Sequence, residues 1–95
     1  MFPILDEINA QLKQTYDDAV AKNHTTRAGV FLTALEIFNK NRPDIEHAQL
    51  DLIENIEKCK KSSDMERAAL FLEAIEIIGE GKGSIEYRAA AQLLA

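Results

Sequence analysis

The sequence is short of almost everything that marks special chemistry. A single cysteine, Cys59, excludes an intrachain disulfide and suits a reducing compartment. Two prolines, four glycines and a charged fraction of 28% argue against disorder. No apolar run approaches the roughly 18 residues of a membrane-crossing helix. Cations are outnumbered (net charge −5) and aromatics make up only 6% of the chain, so the basic, ring-bearing surface that grips nucleic acid is missing. The same acidity disfavours anionic membranes. The start, from Met1 to Glu7, has no basic region ahead of its apolar residues and does not read as a secretory signal. The expectation is a single cytoplasmic domain over residues 1–95.

What the chain does have is apolar periodicity at helical spacing. Leu5, Ile8, Leu12, Tyr16 and Ala19/Val20 recur every three or four residues and predict a helix over 4–22, with Pro3 where a missing N–H costs nothing. A second helix is expected over 26–40, capped by a threonine. Its apolar residues (Ala28, Val30, Phe31, Leu32, Ala34, Leu35, Ile37 and Phe38) cover about 220° at ~100° per residue, too wide for one neighbour to hide. Asp44 caps a third helix, 44–61, whose face is Ile45, Ala48, Leu52, Ile56 and Cys59, widened by Leu50 and Ile53. Ser63 and Glu66 read as a capping box for a fourth, 64–79; Gly79, Gly81 and Gly83 stop it, and Ser84 caps a fifth, 84–94.

The fourth helix resembles the second. Of the twenty residues from Arg27 to Glu46, nine are identical to the residue forty positions later, against about one expected by chance. The reading is a tandem unit of an outer, half-apolar helix and an inner, mostly apolar one: 5–44, 45–84 and a partial copy, 85–95. The fold class is therefore all-α, a compact four- to five-helix bundle in which Phe31 and Phe71 are buried. The unit has the length of known helical repeats, yet the Trp, Leu-Gly, Tyr and Pro positions of tetratricopeptide repeats are not met. If the hairpins turn near residues 22 and 62, Arg27 stands opposite Asp17 and Arg67 opposite Glu57. Two ion pairs across the hairpins are expected.

No constellation for catalysis, metal or cofactor emerges. Gly79-Glu-Gly-Lys-Gly-Ser84 has glycines, a lysine and a helix start, but a phosphate loop needs different spacing and a preceding strand. His24, His47 and Cys59 lack metal-ligand spacing; Asp44 and His47 form a lone i, i+3 pair. The candidates that remain are surfaces. Glu73, Glu76 and Glu80 line the polar stripe of the fourth helix, where the second carries Thr33, Glu36 and Lys40. Leu93 and Leu94 decide whether the last helix is a lid on the core or an exposed patch. The expectation is a binding module, an adaptor, inhibitor or immunity-type antagonist, that meets a basic protein partner through these residues. A homodimer through the C-terminal helix is the alternative.

Overall fold

Capping and turn chemistry divide the chain into five helices. In the computed structural model, which describes residues 3–95, they are α1 (Pro3–Ala21), α2 (Thr25–Asn41), α3 (Ile45–Lys61), α4 (Met65–Ile78) and α5 (Ile85–Leu93). No strand occurs among the described residues. Two caps are those expected: the Asp44 carboxylate accepts from the His47 N–H at 2.9 Å, and Ser84 Oγ from the Tyr87 N–H at 3.0 Å. Each satisfies an amide that the first helical turn leaves free.

Three helix ends share one geometry, and it changes two of the expected caps. α1, α3 and α4 close in the same way, with a non-glycine residue in the left-handed conformation: Asn23 (φ 59°), Ser63 (φ 57°) and Glu80 (φ 57°). At each, the next N–H reaches back five residues: His24 to the Ala19 carbonyl, Asp64 to Cys59 and Gly81 to Glu76, all at 2.8 Å. These are Schellman closures. The left-handed residue cannot also be an N-cap, so Ser63 and Glu66 form no capping box. Asp64 is the cap, accepting from the Arg67 N–H at 3.2 Å. Likewise His24, not a threonine, holds the cap position of α2, and its side chain makes no capping bond. The closures at 22–24 and 62–64 lie forty residues apart, but 79–81 repeats them, so this geometry belongs to helix termination.

α2 packs on α1, α3 and α4, which accounts for its wide apolar arc, and α4 packs on every other helix. α5 lies on α3 and α4. Phe31 (0% exposed) and Phe71 (6%) are both in the core, with Phe38, Ile8, Leu12, Leu52, Ile56, Ile75 and Ile78. The radius of gyration, 12.5 Å, is that of a compact globule of this length, about 12 Å. Two apolar assignments fail. Leu32 is 44% exposed, at the edge of the α2 arc, and Leu50 is 46% exposed. Beside Leu50, Gln49 takes the inward position at 2% exposure. Its Nε2 donates to Ser84 Oγ at 3.2 Å and to the Ile75 carbonyl at 3.4 Å, joining α3 to α4 and to the cap of α5.

Candidate interaction surface

α4 carries its apolar residues toward the core and one open stripe toward solvent. Glu66, Ala69, Glu73 and Glu76 follow each other at three- and four-residue steps, so they share that stripe, and Glu80, in the turn that ends the helix, lies beside Glu76. Leu70 and Ile77, both half-buried, lie along its margin. Glu73, Glu76 and Glu80 were expected here; Glu66 joins them because Asp64, not the Ser63 pairing, closes the helix start.

Glu73 is not free. Arg27, in the first turn of α2, donates to it through both terminal nitrogens, Nη1 to Oε2 and Nη2 to Oε1 at 3.1 Å. The guanidinium also lies over the Phe31 ring, 5.0 Å from its centre. The hydrogen bond to Glu73 raises the Arg27 pKa above its ordinary value; partial burial works against this, and the charges of Glu73 and Asp18 add to it. The expected pairs across the hairpins are thereby corrected. Asp17 instead meets Lys13 at 3.4 Å, one turn away on α1, and Arg67 meets Asp64 at 3.4 Å. The apolar packing of α2 on α4 brings Arg27 beside a carboxylate on the neighbouring hairpin, where bidentate geometry can form.

The Arg27–Glu73 bridge stands at the edge of an open groove of about 650 Å³. One bank is the first turn of α2, His24 to Arg27; the other is Glu66, Ala69, Leu70 and Glu73 of α4. A separate, smaller hollow of about 320 Å³ lies toward the other end of α4, lined by Glu76, Ile77, Glu80, Gly81 and Gln11 of α1. Glu66, Glu76 and Glu80 enter no salt bridge among the described residues. Their carboxylates therefore border the two concavities unneutralised.

The chain matches no protein-family model, no curated protein and no solved structure.

The remaining candidates are placed elsewhere. Leu93 and Leu94 are half-buried against the core and line neither concavity. The Gly79–Ser84 segment is a helix connection in which Ser84 caps α5 and is held by Gln49. His47 lies on the surface, 3.6 Å from Asp51. Cys59 packs against the core, and burial first, then Asp64, pushes its thiol pKa up, the opposite of an activated nucleophile. Among the described residues no three His, Cys, Asp or Glu side chains converge as metal ligands. None of the helices is long and apolar enough to cross a membrane.

Proposed function

We propose that the protein is a cytoplasmic interaction module that binds another protein along the open stripe of α4, acting by occupying a surface and not by chemistry. One observation carries this reading: three carboxylates in no salt bridge among the described residues border the two concavities beside α4, Glu66 the groove lined by Ala69 and Leu70, and Glu76 and Glu80 the hollow lined by Ile77. Apolar contact supplies affinity there, and the bordering charges supply orientation and rate. α4 packs against every other helix, so the stripe is preorganised and its ordering costs little on binding. Glu73 serves this surface indirectly, as the anchor for Arg27 on the opposite bank.

The alternative, a homodimer through α5, draws on the exposed Ile85, while Leu93 and Leu94 pack on the core. Photo-crosslinking separates the two. A benzophenone amino acid replacing Ala69 should trap a different protein in the native host, whereas the same group replacing Glu54, exposed on α3, should not. Equal products from both positions, or only self-crosslinks, would overturn the reading.

A further inference from the structure

The groove also specifies the kind of segment it takes. We infer, resting on the reading of α4 as the binding surface, that the ligand is a cationic amphipathic helix lying along α4.

The apolar footholds, Leu70 and Ile77, are seven residues apart on one helix, about 10.5 Å at the ~1.5 Å rise per residue. A second helix laid nearly parallel repeats its own face every seven residues at the same ~10.5 Å, so two of its apolar side chains meet both footholds in register. An extended strand repeats a face about every 6.7 Å and meets only one. A strand would also need a sheet edge to pair with, and the described residues are all helix and turn. A polyproline ligand needs a groove lined by Trp, Tyr or Phe, and neither concavity is lined by any of these.

Charge fixes the sign of the partner. Glu66 and Glu76 stand about 15 Å apart along α4, and Glu80 follows at its end, none of them neutralised. Arg27, which lines the groove, is engaged by Glu73. Lysines or arginines flanking the partner's apolar stripe would meet these carboxylates, and an acidic helix would be repelled.

The test uses the whole protein and three synthetic peptides of about eighteen residues. One is a Lys/Leu helix with leucines on a single face; the second has the same composition scrambled to remove that face; the third replaces Lys by Glu. Amide chemical shifts and calorimetric titration are read. Expected results are shifts concentrated from Glu66 to Gly81, preference for the first peptide, and weakening as salt rises. E66Q/E76Q/E80Q should lower its affinity about tenfold. A charge-matched control on the exposed face of α3, E46Q/E54Q/E57Q, should leave it unchanged. Equal or tighter binding of the scrambled or acidic peptide, shifts elsewhere, or salt-independent binding by the unmodified protein would overturn the inference. If the Ala69 crosslink still captures a protein when the Lys/Leu helix fails, only the helix assignment falls; if neither binds, the reading of α4 falls with it.

Discussion

Breaking the Arg27–Glu73 bridge should cost stability, because it ties one hairpin to the other. Its size can be bracketed from the geometry. Exposed ion pairs contribute ~0.2–1 kcal/mol and hydrogen bonds to charged groups ~1.5–3 kcal/mol when buried. Here the two side chains are 32% and 41% exposed and the contact is bidentate, which places the coupling near ~1 kcal/mol. A chain of this length loses about 4–5 °C of Tm per kcal/mol. The assay is a double-mutant cycle of Arg27→Met and Glu73→Gln, followed by urea denaturation and circular dichroism. Arg27→Met should cost more than Glu73→Gln, since it also removes the contact with Phe31, ~0.5 kcal/mol or more. The cycle cancels that difference and isolates the pair. A parallel cycle with Asp17→Asn should show no coupling to Arg27. A coupling to Glu73 below about 0.3 kcal/mol, or a larger one to Asp17, would refute the assignment.

Two further outcomes follow from the packing of α3. Gly79 has φ −85°, open to any residue, but a β-carbon there would stand 2.4 Å from Gln49 Nε2. Gly79→Ala should therefore destabilise by ~1–2 kcal/mol, and the loss should largely vanish in a Gln49→Ala background; equal losses in both would exclude the steric cause. The Cys59 thiol has a folded pKa above its ordinary value of 9.0, so less thiolate exists at mildly alkaline pH. Iodoacetamide should alkylate it several-fold more slowly in the folded chain than in urea. By linkage, its stabilising contribution is complete below pH 9 and fades as pH rises through the higher folded value.

Periodicity made the helices legible before any coordinates. Phe31, Leu52 and Ile56 are placed by spacing alone, and Asp44 and Ser84 by cap chemistry, because these signals are local and strong. What hydropathy concealed was Gln49. It sits four residues after Ile45 and seven before Ile56, inside the apolar face, but its amide reads as polar, and only the approach of Ser84 and the Ile75 carbonyl makes that position satisfiable. Leu50 was miscast for the complementary reason, an apolar residue on the outward side. The candidate surface was legible as a row of acids and not as a groove. That Arg27 meets Glu73 and not Asp17 depends on how two hairpins dock, a contact between residues 46 apart in sequence that no local pattern encodes.

The left-handed backbone at Glu80 sets charge against conformational ease. A residue with a side chain spends about 1 kcal/mol to adopt φ 57°, a shape glycine takes freely. Neighbours Gly79 and Gly81 leave the acid alone at the one spot in that turn where glycine would relax the chain. Directed selection for heat tolerance would thus tend to erase this carboxylate, and, on the function proposed for α4, selection for capture would tend to restore it.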